Sequence, residues 1–354
     1  MKKKILVASG GSGGHIIPAT VFYDLLKENY NPVISTDERG INYIDKKKYN
    51  LKIINTPRIL NQKFYIPIKL IMIFILFIKS IIFLRNKKIH SIISTGGYAP
   101  IPLCLAGIFL KIDIYIYEPN LVIGKSNKFF LSRCKKIFIH SYKIKNFPKK
   151  FKKKIVVLSP LVRKKFYQKK RNMGKFFKIM VIGGSQGAKR FDKIFHNIFF
   201  EISKKIKLKV IHQTKEKNLN FLKTFYKEKK ILNEVFSFKK NIFNLVRDCD
   251  FCITRAGAST LGELFTMKIP FLTIPLSNSI YNHQYENGKY YLEKGCCWMI
   301  DENKISGSKL NKYIKEIIIN RKKFNNKRST MIKLNRNMSF NKQKNIIIKT
   351  LDEN

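Results

Sequence analysis

The clearest signal along the chain is a short apolar run at Lys4–Ala8 that stops at glycines and gives way to a helical pattern over residues 18–26. A continuous apolar run bounded by turn residues predicts a buried strand, so the order is strand, glycine loop, helix. The same order returns at residues 178–182, with glycines over 183–188 and a helical segment from near Arg190. Two such openings about half the chain apart predict two α/β units.

Further strands are predicted at 91–94, 112–117, 209–212, 251–254 and 271–274. Most run into polar, glycine-bearing or proline-bearing loops: Thr95-Gly-Gly-Tyr98, Glu118-Pro-Asn120, Gln213-Thr214 and Arg255-Ala-Gly-Ala-Ser-Thr260. Parallel α/β sheets bind ligands beyond the carboxyl ends of their strands, where such loops gather. Pro160 and a lysine-rich stretch interrupt the pattern over residues 159–174 and place the boundary there. Residues 309–354, rich in Lys, Asn and Ile, read as terminal helices, the last returning to the first domain.

The most apolar segment is 66–84, with an unbroken run from Leu70 to Ile78 between Lys69 and Lys79. A run of this length falls well short of the roughly 20 residues that span a bilayer. It is either an internal helix or one half-sunk in a membrane interface, and the flanking cations favour the second. Phe64, Tyr65, Phe74, Phe77 and Phe83 are then the expected apolar contacts, with Lys69, Lys79 and Arg85 meeting phosphates.

Length and composition refine this picture. With 354 residues and 45% hydrophobic content, the chain can fill two cores. Its 71 Lys plus Arg against 22 Asp plus Glu give a net charge of +49. One reading is compositional drift, because the lysines travel with abundant Ile, Asn, Phe and Tyr along the whole chain. The other is attraction to anionic lipids and diphosphates. Six scattered cysteines form no disulfide framework and read as reduced, cytosolic thiols. Cys249 and Cys252 have zinc spacing, but no second pair accompanies them. The stretch from Met1 to Ala8 is too short for a signal-peptide core, so the chain is expected to remain unexported.

The glycine loops are not dinucleotide fingerprints: Gly11-Ser-Gly13-Gly14-His-Ile16 lacks the third glycine of G-x-G-x-x-G, and G-x-x-x-x-G-K-[ST] is absent. Glycines between a strand and a helix start still let main-chain N–H groups approach phosphate, with the helix dipole favouring the negative charge. Asp248-Cys-Asp250 fits a metal-chelating D-x-D, yet it precedes a strand instead of ending one, and no metal or cofactor is expected.

Taken together and in order, Gly10-Gly-Ser-Gly-Gly-His15, Thr95-Gly-Gly-Tyr98, Glu118-Pro-Asn120 with Gly124, Val162-Arg163, Gly183-Gly-Ser-Gln-Gly-Ala188, His212-Gln-Thr214, Arg255 to Thr260 with Glu263, and Asn282-His-Gln284 with Asn287 resemble the MurG family of GT-B glycosyltransferases over nearly the full chain. The resemblance implies two Rossmann-like domains facing across a cleft. Residues 1–162 would form an acceptor- and membrane-binding domain, 163–335 a UDP-GlcNAc-binding domain, and 336–354 a helix returning to the first.

The activity implied is inverting transfer of N-acetylglucosamine from UDP-GlcNAc to the muramyl 4-hydroxyl of an undecaprenyl-diphosphate-linked acceptor, lipid I. Glu263 would accept hydrogen bonds from the ribose hydroxyls. Ser185, Gln186 and Gly187, helped by Ser259 and Thr260, would hold the UDP phosphates. Phe238 would contact uracil, and Ile242, Arg255, Ala258 and Leu261 complete the donor set. Gln284 and His283 would meet the GlcNAc hydroxyls. Asn120 with Ser12, Gly13 and Gly14 would approach from the acceptor side, and Arg163 would supply a cation near phosphate. His15 is the first candidate base, since imidazole titrates near the working pH, and Glu118 is the alternative. Tyr117, Pro119, Pro160 and Lys239 depart from the residues usual in the family.

The expected location is the cytoplasmic face of the plasma membrane, as a peripheral protein on an anionic surface, with cell-wall synthesis proteins as further partners. Two rivals stand beside this. A UDP-GlcNAc 2-epimerase would share the nucleotide-sugar site but need no lipid acceptor. A nucleic-acid-binding protein would account for the charge but leave the glycine loops unexplained, so no nucleic-acid partner is expected.

Overall fold

The computed structural model describes residues 2–57, 66–167, 175–183, 189–239, 242–304 and 307–353. The chain divides into two compact units, one formed by residues 1–164 and 338–354, the other by 165–337.

The first unit runs β1 Lys4–Ala8, α1 Gly13–Leu26, β2 Asn31–Thr36, α2 Glu38–Ile41, β3 Leu51–Ile53, α3 Ile66–Asn86 and β4 Ile89–Ser94. It continues through α4 Ile101–Phe109, β5 Asp113–Glu118, α5 Lys125–Phe130, β6 Lys136–Ile139 and β7 Ile155–Val157. The second unit contains β8 Phe177–Ile182, α6 Lys189–Ser203, β9 Leu208–Gln213, α7 Leu219–Glu228, β10 Leu232–Phe236, α8 Phe243–Asp248 and β11 Phe251–Thr254. After these come α9 Ala258–Thr266, β12 Phe271–Thr273, α10 His283–Glu293, β13 Cys297–Met299, α11 Gly307–Ile319 and α12 Arg321–Leu334. A last helix, α13 Phe340–Asp352, belongs to the first unit.

Every strand pair within each sheet is parallel, in the orders β3-β2-β1-β4-β5-β6-β7 and β10-β9-β8-β11-β12-β13. Both are doubly wound, and the strand order reverses between β1 and β4 in one sheet and between β8 and β11 in the other. Such switch points open a crevice at the strand ends, and in the first sheet the glycine loop after β1 leaves there. The strands are buried on both faces, as Ile5, Leu6, Val7, Ile179, Met180 and Val181 show, which is why they read as unbroken apolar runs.

Helix α1 begins at Gly13, five residues before the helical pattern expected from Pro18, and carries Pro18 in its interior. The main-chain oxygen of Ser12 accepts from the amides of His15 and Ile16, both at 2.9 Å, so the glycines belong to the first turn of the helix. Gly11 stands against α2: a Cβ there would lie 1.8 Å from Oδ1 of Asp37, a carboxylate that caps α2 by accepting from the amides of Arg39 and Gly40. Only a residue without a side chain lets the loop pass so close.

Helix α13 returns to α1. The Tyr30 hydroxyl bonds Asp352, Lys344 pairs with Glu28, and Gln343 accepts from the Ser159 amide at 3.0 Å. Ile347 and Leu351 are buried beneath it.

Helix α3 is not internal. Leu76, Phe77, Ile81 and Leu84 pack into the core shared with α4, while Leu70, Ile71, Ile75, Ile78 and Ile82 are exposed and Phe74 is 63% exposed. Phe77 and Phe83, expected to face lipid, instead pack against this core, because the helix must cover α4 and the sheet edge with one of its apolar faces. Phe64 and Tyr65 lie outside the described residues. Among the described residues, no helix is long and apolar enough to cross a membrane.

Candidate functional site

In the first unit the loops after β1 and β4 meet at His15. Gly96 and Gly97 hold φ of +91° and +92°, a region that disfavours side chains, and the amide of Gly10 donates to the Gly96 oxygen at 2.9 Å. A Cβ on Gly97 would meet the Gly10 Cα at 2.8 Å, and one on Gly96 would press the His15 ring at 3.1 Å. The glycines of the two loops therefore pack directly against each other and against the imidazole. Nδ1 of His15 lies 2.7 Å from the Thr95 main-chain oxygen, and the Thr95 hydroxyl donates to the His15 oxygen at 3.0 Å. A carbonyl can only accept, so Nδ1 carries the hydrogen and Nε2 keeps its lone pair in the neutral ring.

Ser12 occupies the N-cap position of α1 with an extended backbone, and its hydroxyl makes no cap bond. The amides of Gly13 and Gly14, in the first turn, have no partner within the helix, an arrangement that favours anions at helix starts in general.

Glu118 is buried, and both of its oxygens are engaged. Oε1 accepts from the amide of Asn120 at 3.1 Å and from its side chain at 3.0 Å. Oε2 accepts from the Gly124 amide at 2.8 Å and from the Asn127 side chain at 2.9 Å. The carboxylate thus shapes the segment from Asn120 to Asn127. Tyr117, one of the departures from the family pattern, donates its hydroxyl to Nε2 of His140 at 3.1 Å. Burial pushes the His140 pKa down to about 4, so the ring is neutral and its Nδ1 faces the Leu158 oxygen at 3.4 Å. This ties β5 to the segment containing Pro160, which leads through buried Leu161 and Val162 to half-buried Arg163.

In the second unit, Ser185, Gln186 and Gly187 lie outside the described residues. Helix α6, which follows them, is pinned by a buried network. Asp192 accepts from the Thr214 hydroxyl at 2.8 Å and from the Asn218 side chain at 2.7 Å, with His212 Nε2 at 3.4 Å. The other ring nitrogen of His212 lies 2.9 Å from the Tyr226 hydroxyl. Burial works to raise the Asp192 pKa, but bonds from His212, Asn218 and Thr214 outweigh it and hold the carboxyl below its usual range. Burial also lowers the pKa of His212 against the pull of Asp192.

Helix α9 starts at Ala258 behind Gly257, with no side-chain cap. Ser259 Oγ is buried without a hydrogen-bond partner among the described residues, Thr260 is half-buried, and Leu261 and Glu263 are buried further along the helix. Arg255 is turned inward. Its guanidinium donates to the Ile274 and Pro275 oxygens at 3.2 and 3.4 Å, pairs with Glu302 at 2.5 Å and lies 4.5 Å from the Phe191 ring centroid. Glu302 also accepts from the amide and hydroxyl of Ser277 at 3.1 and 3.2 Å. Arg255 therefore braces the loop after β12.

That loop leads to Tyr281 and Asn282, both left-handed with φ of 52° and 56°, before His283 opens α10. Non-glycine residues there cost about 1 kcal/mol each and persist only where surrounding contacts fix them. Oε1 of Gln284 accepts from the Leu276 amide at 3.0 Å, leaving Nε2 without a bond among the described residues. Asn287 donates to the Ala256 oxygen at 3.1 Å and joins α10 to the start of α9. Phe238 is 50% exposed, Ile242 precedes α8, and Lys239 is tied to Glu234 at 2.5 Å. The two D-x-D carboxylates are engaged otherwise: Asp248 pairs with Arg247 at 2.8 Å, and Asp250 accepts from the Lys178 amide at 2.8 Å.

Thr95, Asn127 and Glu302 contact the candidate residues His15, Glu118 and Arg255 and were not singled out from the sequence. Only Thr95 lay inside a recognised motif, and its carbonyl carries no side-chain signal.

Two doubly wound parallel sheets are the architecture of the GT-B glycosyltransferases, one that nucleotide-sugar epimerases share. Residues 5–139 match the glycosyltransferase family 28 N-terminal domain, and 178–344 match the family 28 C-terminal domain. The UDP-N-acetylglucosamine–N-acetylmuramyl-(pentapeptide) pyrophosphoryl-undecaprenol N-acetylglucosamine transferase of Pelagibacter ubique (strain HTCC1062) is 43% identical over 357 aligned positions, covering 100% of both chains. Among solved structures, Acinetobacter baumannii MurG aligns with a TM-score of 0.74 at 20% identity, covering 99% of this chain and 100% of its own. A UDP-N-acetylglucosamine 2-epimerase aligns at 0.67 with 10% identity, covering 99% of this chain and 96% of its own, and shares the fold alone. The chain belongs to the MurG family of glycosyltransferase family 28.

Proposed function

We propose that the chain transfers N-acetylglucosamine from UDP-GlcNAc to the 4-hydroxyl of the muramyl sugar of undecaprenyl-diphosphate-linked MurNAc-peptide, with inversion at the anomeric carbon. The observation that carries this is the end-to-end identity of 43% with a transferase of that name. The 2-epimerase reading has only fold similarity behind it.

The chemistry is one displacement. The acceptor oxygen bonds to the anomeric carbon as the bond to the UDP oxygen breaks, and the hydroxyl proton passes to a base. His15 suits that role, because the Thr95 carbonyl fixes the hydrogen on Nδ1 and leaves Nε2 as acceptor. Glu118 serves as a positioning residue, its oxygens being occupied by Asn120, Gly124 and Asn127. The helix starts at Gly13 and Ala258 suit diphosphates, and the latter stabilises departing UDP together with residues 185–187. Glu263 holds the ribose, Gln284 offers Nε2 to GlcNAc hydroxyls, and Phe238 and Ile242 border the base. Arg255 acts through the loop it braces, and Arg163 supplies a cation.

The exposed apolar stripe of α3, with Lys69, Lys79 and Arg85, suits a lipid interface and supports the reading of a peripheral protein working at the cytoplasmic face of the membrane. The experiment that tests the reaction is NMR of the disaccharide made from UDP-GlcNAc and a short-chain lipid I analogue. A β-linkage to O4 is expected, and an α-linkage or another acceptor position would overturn it.

A further inference from the structure

The second unit carries a cavity of about 780 Å³ away from the helix starts discussed above, along α11 between the end of α6, β13 and the start of α12. Its wall includes the indole of Trp298, the ring of Tyr313 and Ile317, and a smaller apolar slot lined by Ile202, Ile206 and Ile318 adjoins it. Lys205, Lys312, Lys315 and Lys323 also line it, against the single carboxylate of Glu316. Lys315 lies 3.9 Å from Glu201, whereas Lys205, Lys312 and Lys323 have no ion-pair partner among the described residues. Lysines alone would say little in a chain with 71 Lys plus Arg. What marks this groove is that uncommitted cations border an indole and a phenol in a space of ligand size.

Trp298 sits on β13, the edge strand of the second sheet. Its ring packs edge-on against Phe251 at 5.9 Å and lies 6.3 Å from Phe324, with Lys327 5.2 Å from its centroid, so the residue is 9% exposed and only an edge of its indole reaches the groove. Pockets of about 300–1,000 Å³ accommodate small molecules of drug or nucleotide size. An aromatic wall suits a planar ring, and lysine ammonium groups on a hydrated rim suit phosphate or carboxylate. We propose that this groove binds an aromatic anion of nucleotide size, its ring against Tyr313 and the exposed edge of Trp298 and its anionic group among Lys205, Lys312 and Lys323. The groove is separate from the residues assigned to UDP-GlcNAc and to the acceptor.

Trp298 is the sole tryptophan of the chain, so intrinsic fluorescence reports on this groove directly. The full-length protein is titrated with ADP while UDP is held saturating to occupy the donor site, with adenosine and inorganic pyrophosphate as half-ligand controls. Saturable quenching by ADP is expected, with both controls weaker by about tenfold or more. The double variant Lys312→Glu, Lys323→Glu should weaken ADP by about tenfold or more and leave the melting temperature and the kinetic constants for UDP-GlcNAc unchanged. No saturable quenching, pyrophosphate binding as tightly as ADP, or a double variant that binds ADP like the parent would each overturn the proposal.

Discussion

Nδ1 of His15 lies 2.7 Å from the main-chain oxygen of Thr95, 80 residues further along the chain. That contact sets the tautomer of the ring and thereby gives Nε2 the lone pair a base needs. His15→Ala should lower turnover by about 10²–10⁴-fold, the usual worth of a general base, with little loss of donor affinity. Glu263→Ala should do the reverse, raising the KM for UDP-GlcNAc by about tenfold while acceptor binding holds. Steady-state kinetics with each substrate varied separates the two, and equal donor-affinity losses in both variants would contradict this division.

Glu118 offers a contrasting prediction. Its carboxylate accepts from two main-chain amides and two side-chain amides. Glu118→Ala leaves those donors unsatisfied and should cost about 2–4 kcal/mol of stability, seen as a lowered melting temperature, with a raised KM for the acceptor. Glu118→Gln should also destabilise, since its NH₂ group would face donors. A Gln variant of unchanged melting temperature and no turnover would return the base to Glu118.

The Arg255–Glu302 pair is buried and braced by three further acceptors or donors: the Ile274 and Pro275 oxygens and Ser277. Removing one partner of such a pair strands the other. Arg255→Ala should therefore cost about 3–5 kcal/mol by chemical denaturation. The double variant Arg255→Met, Glu302→Leu should recover part of that loss while still weakening donor binding through the loop before α10.

The neutral His140 makes stability depend on pH. Its folded pKa, about 4, lies below the ordinary imidazole value, so between the two the unfolded chain binds the extra proton. Stability from this group is full above about pH 6.5 and is lost as pH falls towards 4, by about 3 kcal/mol at most. Urea midpoints at pH 7 and pH 5 should differ more in the parent than in His140→Gln, which can keep the bond from Tyr117. Equal differences would remove His140 as the source.

Much of this was legible in the sequence for a physical reason. Parallel strands buried on both faces are short, unbroken apolar runs, and β11 follows its expected 251–254 bounds because Asp250 and Arg255 frame it with charge. The glycines of the first unit were legible because glycine is favoured at the positive φ of Gly96 and Gly97 and required by the approach of Gly11 to Asp37. The start of α1 was not, since Gly13 and Gly14 carry no helical preference and the Ser12 carbonyl bonds that recruit them leave no mark in composition. Nor was the buried side of α3, because an all-apolar run has no period to read; packing on α4 decides that Phe77 turns inward and Phe74 outward. Contacts such as His15 with Thr95 and Arg255 with Glu302 join distant segments, and no local pattern announces them.

The most direct test is transfer of labelled GlcNAc from UDP-GlcNAc to a short-chain lipid I analogue, with and without EDTA. Labelled lipid-linked disaccharide at equal rates in both conditions is the predicted result. Conversion of UDP-GlcNAc to its 2-epimer without transfer, or transfer abolished by EDTA, would contradict it.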